Sequence, residues 1–189
     1  ALSVKPAIYV TVEASASSPY ANATTMSSVI IDVSAGSDLP SITLLSGNVS
    51  HYVNGAFVSN EPIIVDSGSY SNAFSPLLVK GINKFSYTFN DSAGNSINKS
   101  VAVVHDMTDP SVTITTPTAG ACINAISVTV SWIAADDLSN IARIEYSADG
   151  VSWTTTTDSS IALAFSNGAH TVYIRAIDNS GNQNIDSIS

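Results

Sequence analysis

The chain repeats one pattern of residues, and this repeat limits the possible folds more than any other feature. Residues 85–95 read Phe-Ser-Tyr-Thr-Phe-Asn-Asp-Ser-Ala-Gly-Asn, and residues 172–182 read Val-Tyr-Ile-Arg-Ala-Ile-Asp-Asn-Ser-Gly-Asn. In each copy, apolar residues at alternate positions predict a β-strand, and the Asp-x-x-Gly-Asn that follows predicts a turn. A chain of 189 residues that carries this pattern twice is expected to form two domains.

Two-residue alternation recurs along the whole chain, whereas helical periodicity is nowhere sustained for three turns. The sequence therefore predicts an all-β protein, with early strands at residues 8–12 and 29–33. Residues 112–177 contain several short strands separated by turn signals, a spacing typical of an immunoglobulin-like sandwich. We predict two tandem immunoglobulin-like β-sandwich domains, residues 1–108 and 109–189, with Pro110 stiffening the joint between them.

The two copies of the pattern are followed by different lengths of chain. Residues 97–105 after the first copy form another alternating strand, whereas the chain stops seven residues after the second. Those residues offer only Ile185 and Ile188, which are three positions apart and cannot both point inward from a strand of period two. The second domain is therefore expected to lack its own complete final strand. An open sheet edge costs stability unless something else fills it.

Charge excludes several classes of partner. Charged residues make up 11% of the chain, against about 25% in a typical soluble protein. Six Lys and Arg oppose fifteen Asp and Glu, for a net charge of -9, so nucleic acids and anionic membranes would be repelled. No window approaches the apolar length needed for membrane insertion. Cations are the small partners that this charge favours.

The ends and the single cysteine bear on location. The chain begins at Ala1 without a basic-then-apolar leader, which we interpret as a processed mature form or an excised piece of a longer protein. Cys122 has no partner for a disulfide within the chain and is expected to be a buried thiol. We expect an extracellular, cell-surface location.

Catalytic motifs are not found in the sequence. Nucleophile elbows, zinc-protease helices and phosphate-binding loops are all missing, and the three histidines, His51, His105 and His170, fall in different segments. We therefore expect that the protein is not an enzyme and that it needs no organic cofactor.

Three segments carry a family resemblance, namely residues 132–137, 144–150 and 170–182. They resemble the tandem immunoglobulin-like repeats of bacterial and archaeal cell-surface proteins. Such modules serve as stalks, adhesins, filament subunits and appendages of enzymes, so the resemblance implies a fold more than a function. Surface glycans or neighbouring cells are the external partners that it suggests.

The short final repeat directs the functional prediction. The pattern is similar to pilin systems joined by donor-strand complementation, including the archaeal thread filament. We expect an extracellular structural subunit of a surface filament or pilus that assembles head-to-tail with itself; the alternative is a stalk, spacer or adhesion module from a larger surface protein. A carbohydrate-binding module is a third option, with Trp132 and Trp153 as sugar-stacking residues, although Trp132 alternates with valines and is expected in the core.

Strand addition would need a donor strand, and the N-terminal segment is the best candidate because apolar and other residues alternate along it. Five apolar residues stand at even positions, interrupted only by Pro6: Leu2, Val4, Ile8, Val10 and Val12. Either this segment is the first strand of its own domain, or it closes the open sheet of a neighbouring subunit. The second arrangement does not close on itself and would generate a fibre.

Five carboxylates form the candidate metal site. In a seven-stranded sandwich, the loops that hold Asp136, Asp137 and Asp178 lie at the same end as the domain's first strand, next to Asp106 and Asp109 of the linker. Crowded carboxylates repel unless a hard cation neutralises them, and Ca²⁺ accepts six to eight oxygens. We predict one Ca²⁺ at the joint; the alternative is that the aspartates only stabilise turns.

Four glycosylation sequons begin at Asn22, Asn48, Asn90 and Asn98. Chance alone accounts for about this number in a chain so rich in Ser, Thr and Asn. A surface poor in charge nevertheless suits a glycoprotein, and we treat a glycan coat as a hypothesis.

Overall fold

The computed structural model describes residues 8–14, 19–26, 29–37, 43–66 and 68–189. Among these residues the protein is all-β, as predicted, and a single short helical turn lies beside fifteen strands. None of the helices in the described part of the chain has the length and apolar character to cross a membrane. The chain divides into two compact units, Ala1–Asp106 and Met107–Ser189.

The first unit contains two sheets. One has the strand order β1-β3-β6, and the other β2-β8-β7-β4-β5. The strands are β1 Ile8–Ala14, β2 Tyr20–Ala21, β3 Ile31–Ser37, β4 Leu44–Val53, β5 Ala56–Ile63, β6 Tyr70–Phe74, β7 Gly81–Asp91 and β8 Ser96–His105.

Strand β7 is the centre of the larger sheet, as its alternation predicts. Phe85, Tyr87 and Phe89 are buried, whereas the residues between them are only half-buried. The buried side chains pack against Ile31 and Val33 of β3, so the core lies between the two sheets. Burying each such large apolar side chain contributes about 1.5–3 kcal/mol.

The β4–β5 hairpin has a sequence signature in its turn. Asn54 and Gly55 both have positive φ, 49° and 82°, which is the backbone that an Asn-Gly hairpin turn requires. The pairing between β4 and β5 shifts register between His51 and Tyr52, where β5 carries one extra residue. Such a bulge changes which face of the sheet the following side chains occupy.

The second unit is a seven-stranded immunoglobulin-like sandwich. Its sheets have the orders β13-β10-β9 and β12-β11-β14-β15. Val130 and Trp132 of the first sheet pack against Val172, Ile174 and Ala176 of the second. The strands are β9 Ser111–Thr116, β10 Ser127–Ala135, β11 Ile141–Ser147, β12 Thr154–Thr156, β13 Ser160–Ala164, β14 Val172–Asp178 and β15 Gln183–Ile188.

The expectation that the second domain lacks a complete final strand is wrong. Strand β15 pairs with β14 over six residues, from Val172 opposite Ile188 to Ile177 opposite Gln183. Only one of the two isoleucines faces the core, as their spacing requires: Ile188 packs against it and Ile185 is 47% exposed. The strand was missed because Asp186, not an apolar residue, shares the inward face with Ile188, opposite Ile174.

The expectation of a buried thiol is also wrong, because Cys122 is exposed. It lies in the irregular segment between β9 and β10. Cys122 does not belong to an alternating apolar pattern, so the sequence contained no evidence that it is buried.

Candidate functional site

The two Asp-x-x-Gly-Asn turns are built in the same way. In the first, Asp91 Oδ1 accepts the backbone N–H groups of Ala93 and Asn95 at 2.9 and 2.8 Å, and Asp91 Oδ2 accepts Asn95 Nδ2 at 2.7 Å. In the second, Asp178 accepts the backbone N–H and the Nδ2 of Asn182 at 2.9 and 2.8 Å. Gly94 has a φ of 79°, the left-handed backbone that the turn needs. These hydrogen bonds give both aspartates a structural role.

Asp136 organises the loop that joins β10 to β11. Its Oδ2 atom accepts the backbone N–H groups of Leu138, Ser139 and Asn140 at 3.1, 2.7 and 2.8 Å. Its Oδ1 atom is buried and has no hydrogen-bond partner. A buried carboxylate oxygen without a partner is costly, which makes this atom a candidate ligand for a cation.

Within the second unit the structure brings Asp136 and Asp178 together. Each offers a carboxylate oxygen, and the two oxygens lie within 4.8 Å of each other. Asp178 is 2% exposed, so its charge is screened little by water. Two carboxylates this close favour a cation between them.

The other three predicted ligands differ in exposure. Asp109 and Asp137 are exposed to solvent. Asp106, the last residue of the first unit, is buried, and its backbone N–H donates to the carbonyl oxygen of Ala21 at 2.8 Å. The calcium site over all five carboxylates stays a prediction.

An ion-pair cluster on the outer face of the second unit was not found from the sequence. Arg175 Nε donates to Glu145 Oε2 at 2.8 Å, and Arg143 Nε donates to Glu145 Oε1 at 3.0 Å. The guanidinium of Arg175 also lies over the ring of Trp153, 4.0 Å from its centroid. Glu145 and Arg175 are direct cross-strand partners, so only the register of β11 against β14 reveals the pair.

The protonation of Glu145 reflects this environment. Burial raises the pKa of its carboxyl, but hydrogen bonds from Arg175 and Arg143, together with their positive charges, more than offset this and hold the pKa below its usual value. Glu145 is therefore ionised at neutral pH. In this cluster the carboxylate already has two positively charged partners, Arg143 and Arg175.

The loop after β11 contains an Asp-Gly pair, which is common in hairpin turns. Gly150 has a φ of 73°, but the connection to β12 is longer than a two-residue hairpin turn. Asp149 Oδ1 accepts the N–H groups of Val151 and Ser152 at 2.8 and 2.7 Å. Hydrogen bonds from Ser152, Val151 and Ser147 hold the pKa of Asp149 well below its usual range. The carboxylate thus fixes the loop.

The two tryptophans differ in how much of the ring is available to a sugar. Trp132 is in the core, as predicted, and only 4% exposed. One face of Trp153 is occupied by Arg175. The carbohydrate-binding hypothesis therefore has no support from Trp132.

The histidines do not form a common site. His51 Nε2 lies 3.0 Å from Asn83 Oδ1, and the ring stacks on Phe85. His105 is buried at the end of β8. His170 Nε2 lies 2.8 Å from the carbonyl oxygen of Ser166.

The predicted glycosylation residues lie on strands and in one turn. Asn48, Asn90 and Asn98 belong to β4, β7 and β8, and Asn22 follows β2. Asn22 Oδ1 accepts the backbone N–H groups of Thr24 and Thr25 at 2.9 and 3.0 Å. Glycosylation stays a prediction.

The candidate donor strand lies in its own unit. Ile8, Val10 and Val12 belong to β1, which pairs antiparallel with β3. This arrangement is the alternative in which the segment is the first strand of its own domain. Leu2 and Val4 lie outside the described residues.

A groove of about 910 Å³ opens at one end of the second unit. Its walls include the core residues Val130 and Val172 together with Phe165 and Ile188. Ile126, at its rim, is 84% exposed. Phe165 and Ile188 are half-buried at this groove, whereas Val130 and Val172 are buried.

Comparison with known proteins agrees with the fold. Residues 110–180, less than half of the chain, match the family model described as bacterial Ig domain. No curated protein matches the sequence. The chain is an immunoglobulin-like β-sandwich protein whose second unit resembles bacterial Ig domains.

Three solved structures are similar at low sequence identity. The fibronectin(III)-like modules of Clostridium thermocellum CbhA are 16% identical with a TM-score of 0.44, covering 95% of this chain and 91% of that one. A 1.5-MDa bacterial ice-binding adhesin is 13% identical with a TM-score of 0.46, covering 98% and 64%. A tetra-tandem repeat from the extending region of a large adhesion protein is 20% identical with a TM-score of 0.42, covering 96% and 48%.

Proposed function

We propose that the chain is a non-catalytic, immunoglobulin-like module of a larger cell-surface protein, in which it acts as a spacer or adhesion segment. The observation that carries the proposal is the complete sandwich of the second unit, in which β15 closes the sheet along β14. A domain that supplies its own last strand needs no strand from a neighbour. The match of residues 110–180 to bacterial Ig domains supports the same class.

Surface composition fits an extracellular module. The chain has few charged residues and a net charge of -9, and its polar surface consists mainly of Ser, Thr and Asn. Such a surface has little attraction for nucleic acids or for anionic lipid headgroups.

A subunit of a surface filament is the second candidate function, and the structure of the second unit gives it less support than the module has. Strand addition was predicted because the second domain was expected to lack its final strand, and β15 occupies that position. Strand addition would also require β1 to leave its partner β3. Size-exclusion chromatography and negative-stain microscopy separate the two functions: a monomer supports the module, and head-to-tail fibres support the filament subunit.

The location is tested on the organism that makes the protein. Antibodies raised against the purified chain should label intact cells, and brief protease treatment of those cells should remove the label. Labelling that appears only after cells are opened would contradict a surface role.

A further inference from the structure

The outer face of the larger sheet in the first unit carries a regular array of uncharged polar side chains. Because side chains alternate along a strand, the residues between the buried positions of β7 point outward. The register places their partners on β4, β5 and β8 on the same face. We call this the polar face, and its ten Ser, Thr and Asn residues are Ser46, Asn48, Ser50, Asn60, Ser86, Thr88, Asn90, Ser96, Asn98 and Ser100.

The array consists of rows that run across the strands. In one row Asn48 of β4 lies opposite Thr88 of β7, which lies opposite Asn98 of β8. The next row contains Ser50 and Ser86. Side chains within a row are about 5 Å apart, and rows repeat about every 7 Å along the strands.

Hydrogen bonds within the array hold the side chains in place. Asn98 Nδ2 donates to Thr88 Oγ1 at 2.9 Å, and Ser86 Oγ donates to Asn98 Oδ1 at 3.0 Å. Asn48 Nδ2 donates to Asn60 Oδ1 at 2.8 Å. Each amide and hydroxyl group keeps further donor or acceptor capacity, so the face can bond a ligand without rearranging.

Two aromatic rings border the array. The bulge at His51 and Tyr52 places Phe57 opposite Tyr52, so both rings lie on the polar face. Their centroids are 5.8 Å apart in an edge-to-face arrangement, and Phe57 is 60% exposed. Exposed aromatic rings beside polar groups offer apolar contact to the ring faces of sugars.

Charge identifies the class of partner. The outward positions of these four strands include no carboxylate, although the chain has fifteen acidic residues, and Lys84 is their one cation. A cationic ligand would lose hydration on this face without gaining an opposite charge, and an anionic ligand would meet a single cation, Lys84. A neutral ligand rich in hydroxyl groups can exchange its hydrogen bonds with water for bonds to amides and hydroxyls.

We infer that the polar face is a docking surface for an extended neutral polysaccharide. The inference rests on the proposed adhesion role and names its partner. The array is four strands wide, so it fits a chain of several sugar residues better than a single sugar. The tryptophans have no part in it.

The test uses the full chain, purified from a host that does not glycosylate it, and three insoluble neutral polysaccharides: microcrystalline cellulose, chitin and starch granules. At least one should deplete the protein from solution, and the depletion should change little between low and high salt. Depletion by none of the three would overturn the inference, as would binding only to charged alginate beads or only to a second copy of the chain.

Variants locate the binding. Ser50→Asp/Ser86→Asp places two carboxylates in one row and should weaken retention at least tenfold, because each carboxylate repels its neighbour and stays hydrated. The matched control is Thr113→Asp/Thr129→Asp, at exposed positions on β9 and β10 of the second unit, which should bind as the parent does. Retention that survives Ser50→Asp/Ser86→Asp would overturn the inference.

A single substitution keeps the test valid if the double variant does not fold. Phe57→Ala removes an exposed ring and should keep the parent's melting temperature while weakening retention several-fold. Unchanged retention in a folded Phe57→Ala protein would also overturn the inference. If binding fails while antibodies still label intact cells, the polysaccharide inference falls and the proposed location stands.

Discussion

Asp186 and Ile114 join the two sheets of the second unit, because Asp186 Oδ2 on β15 accepts the backbone N–H of Ile114 on β9 at 2.7 Å. These strands belong to different sheets and have no ladder pairing with each other. A carboxylate on the inward face of the last strand thus satisfies a backbone donor on the first. This hydrogen bond to a carboxylate helps to close this side of the sandwich, beside the apolar packing of Ile188.

Asp186→Ala should destabilise the second unit. The change leaves the N–H of Ile114 without its acceptor, and hydrogen bonds to charged groups are worth about 1.5–3 kcal/mol. Urea unfolding followed by Trp fluorescence measures the loss, and Ser187→Ala, at an exposed neighbouring position, should have little effect. Equal stability of Asp186→Ala and Ser187→Ala would show that the contact does not close the sandwich.

Glu145→Gln should weaken the second unit in a pH-dependent way. The pKa of Glu145 is lowered in the folded protein, so its ionised form stabilises the fold above the unfolded pKa, near 4.5, and this stability is lost as the pH falls through the folded pKa. At pH 7 the substitution should cost about 1.5–3 kcal/mol, because it removes the charge from hydrogen bonds with Arg175 and Arg143.

The pH dependence gives the control for this prediction. As the pH falls below 4.5, the difference in unfolding free energy between the parent and Glu145→Gln should shrink. A difference that stays constant from pH 7 to pH 3 would mean that the loss comes from packing and not from the ion pairs.

Gly47→Ala should destabilise the first unit. A Cβ at this position would lie 2.7 Å from Cδ1 of Phe89, a fully buried ring that has no room to move away. Overpacking of this kind costs about 1–3 kcal/mol. Gly55→Ala is the comparison: its Cβ would meet nothing within 4 Å, and only its φ of +82° adds strain. The prediction fails if chemical denaturation finds Gly47→Ala as stable as the parent.

Calcium should bind in the second unit if the carboxylate pair is a metal site. Isothermal titration of chelator-treated protein should show heat on addition of Ca²⁺, and Asp136→Asn should remove it because the buried Oδ1 of Asp136 is the candidate ligand. Asp158→Asn, at an exposed acid elsewhere in the same unit, should retain the heat. No heat with the parent chain, or the same heat with Asp136→Asn, would leave Asp136 and Asp178 with turn formation alone.

The alternating strands and their turns could be predicted from the sequence. Strand β7 alternates between buried aromatics and outward polar residues, so its period gives both its structure and its faces. Trp132 alternates with valines and is buried for the same reason. The Asp-x-x-Gly-Asn turns follow from local chemistry, because each Asp accepts hydrogen bonds from residues two to four positions later.

Features that depend on register could not be predicted. The pairing of Glu145 with Arg175, and the rows that join Asn48, Thr88 and Asn98, require knowing which strands are neighbours and how they are aligned. Strand β15 was not predicted because its inward face carries Asp186 in place of an apolar residue. A carboxylate at such a position is stabilised by a distant backbone donor, and single-sequence patterns contain no information about it.

The most direct test of the account stretches one molecule of the full chain between two handles and records its unfolding under force. A spacer built from two compact units, Ala1–Asp106 and Met107–Ser189, each with its own core, should unfold in two separate events whose lengths match the two units. Asp186→Ala should lower the unfolding force of the shorter event only. A single cooperative event that releases the whole chain would contradict the account.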